Sequence, residues 1–362
     1  EYFSRYLAYM VISLTREQQQ LVHQVQYNCD ISDANHAGNF TLCIYLLKMR
    51  EYYRWLHNLE FADELESAKM SNWLREREDI WEQVIDNDYK NIDFNSQTFD
   101  VFDNSKINSS IQPQKLFYHA GIGQKEAHHF FIAELIDSYI DSSTETRITI
   151  TGKEFARDLT APPAMSNQHD IIIRQESLKR LCWERFQEWN WNQYDNAMGT
   201  ALSFYPFKES VNEALQSMVE VEQNTLIQHE LGEMNISHQL GTEWSNLILK
   251  IMGTKAELLA RSVRDHLADC LNTLPYLIEQ NNPASLHFYF ANMAYIRKEL
   301  FPSAIQAYQQ WVKTGSLEPL IKITQDAIPH WENTVQSILQ TQSYSDTTNS
   351  KEISHLIEQA AY

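Results

Sequence analysis

The chain has 362 residues, with 29 Lys+Arg against 48 Asp+Glu and a formal net charge of −19. A chain this acidic repels phosphate backbones and anionic membrane surfaces, which excludes nucleic acid and membrane as partners, and 43% hydrophobic with 12% aromatic content excludes disorder. Nine Gly and nine Pro are too few breakers for a sandwich, a barrel or a Gly-rich nucleotide fold, and the length suggests two domains.

The first apolar run, Tyr6 to Leu14, is far short of the ~20 residues of a membrane span. The chain begins at Glu1, not at Met, which leaves a removed signal segment upstream open. From Thr15 a polar helix is expected to about Asn28, and Asp33 suits the N-cap of a long helix carrying "FTLCIYLLKMREYYRWLHN". "SNWLREREDIWEQVI" is a further amphipathic helix, and the Asp, Asn and Ser text from Asn87 to Pro113 reads as an irregular loop. In "KLFYHAGIGQKEAHHFFIAELIDSYI" a short apolar run meets a Gly-x-Gly turn and then a helix from about Gln124. "TRITITG" alternates as a strand, and with Leu116 to His119 it suggests a small parallel pair around that crossover helix. "RDLTAPPAMSNQHD", with Pro162 and Pro163, is taken as the domain boundary: 1–160 a helical domain with a small strand element, 161–362 an all-helical domain.

Beyond the boundary the text keeps a helical period. "KAELLARSVRDHLADCLNTL" is expected to stop at Pro275, Pro283, Pro302 and Pro329 sit where helices should start, and a Ser/Thr/Asn stretch at 343–350 divides two C-terminal helices. No fixed repeat or sustained heptad is present, which disfavours a solenoid or a long coiled coil. The fold class expected is mainly α and multi-helical, with two domains, a C-terminal antiparallel helical bundle or array, and a small β element in the N-terminal domain. Cys29, Cys43, Cys182 and Cys270 are scattered with no C-x-x-C, as suits buried thiols in a reducing, cytoplasmic compartment.

"GKEFARDLTAPPAMSNQHDIIIRQESLKRLCWERFQEW", together with "YLLKMREYYRWLHNLEF" and "NWLREREDIWE", resembles a family of bacterial proteins of unknown function over most of the chain. The resemblance implies two domains in one cytosolic bacterial protein and carries over no activity and no site residue.

Candidate chemistry centres on "IQHELGEMNISHQLG". This is near the His-Glu-x-x-His pattern of zinc hydrolases, with Glu233 where the second His would stand. On a helix His229 and Glu233 share a face, and Glu230, about 100° round, could serve as base to a metal-bound water. A carboxylate in the second position shifts preference from zinc towards iron or manganese. About 1.7 such His/carboxylate pairs are expected by chance, so a solvated or partner-facing stripe is the plainer reading. A third ligand requires His238 after a break near Asn235, or "SVRDHLADC", where His266 and Asp269 are three apart and Asp265 offers a second base. Two antiparallel helices presenting His229/Glu233 and His266/Asp269 would resemble the metal centres of helical bundles, whereas Arg261 and Arg264 offer salt-bridge partners instead.

Lesser candidates follow the same weighing. Glu126-x-His128-His129 and Glu352-x-x-His355 fit Glu-x-x-His formally but belong to different domains. "HAGIG" before a helix could cradle an anion, with His119, Gly121, Gly123 and Lys125 to watch, though a lone Gly-x-Gly is usually a turn. Aromatic stripes such as "REYYRW" read as packing, and "EWNWNQYDNAM" (Trp189, Asn192, Tyr194, Asn196) as a surface that could line a pocket or bury a partner. The expectation is a binding or assembly protein with a protein partner or a second copy of itself. The alternative is a metal-dependent enzyme with His229, Glu233, His266 and Asp269 as ligands to iron, manganese or zinc and Glu230 or Asp265 as the catalytic base.

Overall fold

The computed structural model describes residues 14–362 apart from 124–126, 143, 168 and 344–349. Tyr6 to Ser13, Gln124, Lys125, Glu126 and most of the 343–350 stretch therefore lie outside the described residues. No helix among those described is long and apolar enough to cross a membrane.

Helix α1 (Arg16–His36) starts at a capping box in which the Thr15 hydroxyl accepts from the Gln18 N–H and the Gln18 side chain accepts from the Thr15 N–H. It runs through Asp33, which is buried inside the helix and accepts the Leu159 N–H at 2.8 Å, so Asp33 caps nothing. Helix α2 (Leu42–Leu56) begins instead after Thr41, and α3 (Ser67–Val84) follows. The expected irregular loop holds a hairpin and a helix. Strands β1 (Ile92–Phe94) and β2 (Gln97–Phe99) join through Asn95 and Ser96, both at positive φ as a tight hairpin turn requires, and α4 (Asn104–Ile111) is capped by Asp103.

The next five strands overturn the small β element. β3 (Leu116–Ile122), β4 (His128–Ile140), β5 (Arg147–Arg157), β6 (Ala164–Ser166) and β7 (Asp170–Arg174) form one mixed sheet in the order β3-β4-β5-β7-β6. β4 replaces the expected crossover helix and pairs antiparallel with both β3 and β5; among the described residues the one parallel pair is β5 with β7. "HHFFIAELIDSYI" misleads because its first half is buried on both faces, and such a strand reads as a continuous apolar run instead of an alternation. Register shifts between Ile132 and Asp137 curl the sheet. The sheet also runs past Pro162 and Pro163, since β6 and β7 lie on their C-terminal side.

From Gln175 onward every described regular element is helical: α5 (Gln175–Asn192), α6 (Ala197–Leu202), α7 (Val211–Lys250), α8 (Lys255–Ala268), α9 (Leu274–Gln280), α10 (Pro283–Asn292), α11 (Tyr295–Leu300), α12 (Pro302–Thr314), α13 (Glu318–Ser343) and α14 (Ser350–Gln359). Pro283 and Pro302 open their helices, where a missing N–H costs nothing, but Pro329 sits inside α13. Pro275 does not end its helix either. A π turn at Asp269–Thr273 joins α8 to α9, and the proline follows it at the start of α9.

Three packings position the sites. α1 lays Leu21, Val22, Val25 and Cys29 on Phe130, Ile132 and Ala156 of the sheet. α7 lays Ile227, Leu231 and Met234 on Ile148 and Ile150 of β5 and Ile171 and Ile173 of β7. In the C-terminal core α8, α13 and α14 bury Leu259, Val263, Trp331, Val335, Ile353 and Ile357 together.

Candidate functional site

The "HELGE" segment lies on α7 where that helix crosses α8. Gly232 permits the crossing: a Cβ there would stand 2.8 Å from the Ala268 carbonyl oxygen. The close approach brings His229 to Asp269, the first residue of the π turn. His229 Nδ1 donates to Asp269 Oδ1 at 2.9 Å and Nε2 faces Glu233 Oε1 at 3.1 Å, so both ring nitrogens face carboxylates. Burial would lower the imidazole's pKa, but the Asp269 charge and the two hydrogen bonds hold it well above its ordinary value.

Asp269 is 1% exposed and has a full shell. It accepts from Thr273 Oγ1 (2.7 Å), from the Tyr289 hydroxyl (2.7 Å) and from Arg297 Nη2, besides His229. Burial works against its charge, yet Arg297 and His229 keep the carboxyl far below the usual range. Glu233 is held low in the same way by His229 and by Arg264, whose Nη2 reaches Glu233 Oε2 at 2.6 Å and Asp265 Oδ1 at 2.9 Å. Asp265 and Glu230 are pushed up, both by burial first and Asp265 next by the Glu233 charge, while Glu230 hydrogen-bonds Ser166 of β6.

His266 does not join them. Its Nε2 donates to the Arg297 carbonyl at 3.1 Å, its Nδ1 lies 3.4 Å from Arg297 Nη2, and its ring stacks on Trp331 at 5.0 Å. Burial and the Arg297 charge keep it neutral, with a pKa well below the ordinary value. His238 is exposed on α7, and the break in that helix falls at Gly241 (φ 62°), too late to turn His238 back. Arg264 and Arg297 take the places that a cation would fill, and among the described residues no group of three or more His, Cys, Asp and Glu is placed to hold a metal ion. What α7 and α8 bring together is an ion-pair network.

The other motifs resolve into local structure. Gly121 and Gly123 flank the end of β3, where a Cβ would stand 2.7 Å from His119 Nε2 and 2.1 Å from His129 Nε2, so an imidazole would have to move. His128 packs among Tyr89, Phe102 and Phe130, and His129 Nδ1 lies 3.3 Å from Asp158 Oδ2. In "EWNWNQYDNAM" Trp189 Nε1 donates to the Tyr194 carbonyl and the Asn196 side chain caps α6, which builds the turn after α5.

A second cluster had no motif to announce it. Between α2, the segment after it, the end of β5 and the first turns of α5 lies a cavity of about 340 Å³. α2 lines it with Glu51, Arg54 and Trp55, β5 with Lys153, Glu154 and Arg157, and α5 with Glu176, Lys179 and Arg180. On both helices the lining residues sit three and four apart, on one face. The only signal in the sequence is that "REYYRW" and "ESLKR" put charges at helical spacing beside aromatic or apolar positions that must be buried. Such charges read as solvated ends of a packing stripe until the tertiary fold covers them.

The cluster's geometry is polar and deeply buried. Glu154 Oε1 accepts from Arg174 Nε and Ser177 Oγ, both at 2.8 Å, and the Glu154 N–H donates to the Glu176 carboxylate. Burial, then the Glu154 charge, pushes Glu176 up to about 7. Arg157 (2% exposed) lies over the Trp55 ring at 4.8 Å, and Arg180 (7% exposed) donates through Nη2 to the Thr160 and Ala161 carbonyls. Several polar atoms of the lining residues are buried and make no hydrogen bond: Arg54 Nε, Arg157 Nη1, Arg180 Nε and Nη1, Glu51 Oε2 and Glu154 Oε2. Ion pairs take the place of some of those bonds: Arg54 Nε lies 3.7 Å from Glu51 Oε2, and Arg157 Nε 3.8 Å from Glu154 Oε2.

Residues 20–174 match the N-terminal domain, and residues 179–360 the C-terminal domain, of a family of unknown function, DUF6866. No curated protein and no solved structure matches the chain. The two matches meet at the β7–α5 junction, so the cavity has walls from both domains, and matched over nearly its whole length the chain belongs to the DUF6866 family.

Proposed function

We propose that the chain is a binding protein whose ligand is a small polar molecule held in the cavity between α2, β5 and α5. The observation that carries this is a cavity of about 340 Å³ walled by charged side chains of α2, β5 and α5, with Trp55 and Phe61 beside them. A hydrogen bond to a charged group contributes about 1.5–3 kcal/mol, so a polar ligand that reaches these side chains gains affinity from each bond it makes. The volume lies at the low end of small-molecule sites, which suits a metabolite-sized compound. Four free cysteines, three of them buried, are in keeping with a reducing, cytoplasmic setting.

The metal-dependent enzyme on His229, Glu233, His266 and Asp269 is the weaker reading, because each carboxylate already has donors and His266 faces Arg297. Metal analysis is its test: stoichiometric iron, manganese or zinc that disappears in His229→Ala would revive it. For the cavity, a library of water-soluble metabolites is screened by thermal shift against the wild type and Leu59→Trp, a substitution in the cavity wall that narrows the space. Saturable hits that vanish in Leu59→Trp support the reading. A screen without hits, or hits indifferent to Leu59→Trp, sinks it.

A further inference from the structure

The walls of this cavity are unusual for their charge. The chain carries a net −19, yet five of its 29 Lys+Arg side chains (Arg54, Lys153, Arg157, Lys179, Arg180) converge here. Four carboxyls line it as well (Glu51, Glu60, Glu154 and Glu176), so the cations outnumber them by one. Arg180 lacks a close counter-ion. Its bonded nitrogen goes to backbone carbonyls, and its nearest ion partner, Glu184, is 3.9 Å away from Nε. A buried cation without a close counter-ion is strongly disfavoured unless something supplies the charge.

The neighbours register that excess. Burial, then the Arg157 charge, lowers Arg180 to about 10, and burial, then the Arg180 charge, lowers Lys48 to about 8. Glu176, up at about 7, is half-protonated near neutrality and offsets little of it. A guanidinium presents its N–H groups as a planar fork that matches two oxygens on one atom, as in a carboxylate or a phosphate. Trp55 and Phe61 add an apolar wall for a carbon skeleton.

Resting on the cavity reading above, we propose that the ligand is a small organic anion whose carboxylate or phosphate group is taken by Arg157 and Arg180, while Glu51 and Glu154 receive a hydrogen-bond donor elsewhere on the molecule. The group that binds is the same oxyanion chemistry in either case, and the source is what the experiment separates.

The test is calorimetry and thermal shift on the full chain in phosphate-free buffer. Succinate and glutamate form the carboxylate arm, inorganic phosphate and glycerol phosphate the phosphate arm, with glucose and putrescine as neutral and cationic probes. The expected result is saturable binding in one anion arm, weakened at least tenfold in Arg157→Gln and in Arg157→Lys, which keeps the charge but loses the fork. Arg180 also holds the Thr160–Ala161 backbone, so Arg157 is the position varied, and Arg157→Lys keeps the charge that faces Glu154 Oε2 at 3.8 Å. Binding of glucose or putrescine alone, abolished by Leu59→Trp, overturns the anion and leaves the cavity reading standing. Anion binding that survives both Arg157 variants overturns the assignment of residues, and no binding by any probe overturns the anion and the cavity together.

Discussion

Asp269 keeps its charge at 1% exposure because Arg297, His229, Thr273 and Tyr289 all donate to it. Removing one partner of a buried pair leaves the others uncompensated, so Asp269→Ala should destabilise by about 3–5 kcal/mol in urea denaturation. A loss under ~1 kcal/mol would mean that desolvation already offsets the pairs. The pH dependence has a definite sign. His229 is raised, so its contribution is complete below 6.5 and declines as pH rises towards the folded value; Asp269 is depressed, so its contribution is complete above 3.8 and declines as pH falls. The gap between wild type and Asp269→Ala should therefore narrow above pH 6.5. Glu222 runs the other way. It is buried, accepts the Ser285 hydroxyl at 2.7 Å, and burial lifts it from 4.5 to about 7, so the folded chain binds its proton more tightly and stability falls from pH 4.5 to 7. Glu222→Gln keeps the acceptor without the charge and should stabilise by roughly 1–3 kcal/mol at pH 8, with no gain at pH 4.5, read from Tm against pH. At this scale the sequence could set His229 beside Glu233, because that pairing is local to one helix. It had no means of showing Arg297, which comes from a helix 28 residues beyond Asp269, and no means of showing which charges around α2 and α5 the fold would bury.

Among the elements, α7 shows two glycines with different work. Gly232 lets α8 approach, with the Ala268 carbonyl 2.8 Å from where a Cβ would be, whereas Gly241 meets nothing within 4 Å and is required by its φ of 62°. Backbone cannot yield as a side-chain tip can, so Gly232→Ala should force the helices apart at a cost of about 1–3 kcal/mol. It should also lengthen His229–Asp269 and flatten the loss of stability above pH 6.5. Gly241→Ala carries a backbone strain of similar size, about 1–3 kcal/mol, and should leave the pH profile intact. Equal profiles in the two variants would refute the link between the crossing and the ion pair. Helices such as α3 were legible because one face alone is buried and the 3.6 period survives in the text. β4 was not, because burial on both faces erases alternation, and its apolar residues at 130, 131, 135, 136 and 139 imitate a helical stripe. The strands β6 and β7 were hidden by Pro162 and Pro163, which lie just before β6, outside any strand, and so break no ladder.

For the whole molecule the junction between the two matched regions decides how it unfolds. Domains usually part at an exposed, flexible linker. Here Arg174 ends β7 and Gln175 begins α5, so sheet and helix share one continuous backbone with no linker residue between them. The same Arg174 binds Glu154 of β5, which binds Ser177 of α5, and α7 buries Ile227, Leu231 and Met234 against Ile148, Ile150, Ile171 and Ile173 of the sheet. Each region would expose part of its own core if the other unfolded. Unfolding should therefore be a single transition, with tryptophan fluorescence and far-ultraviolet circular dichroism coincident in denaturant. Leu231→Ala tests the coupling at its centre. It should cost about 2–5 kcal/mol, as buried Leu truncations do, and shift both signals equally, although the substitution lies only in α7. Signals that separate, with the sheet melting at a different denaturant concentration from the helices, would show that the apolar contact does not weld the two regions and that the cavity between α2, β5 and α5 can open without unfolding either.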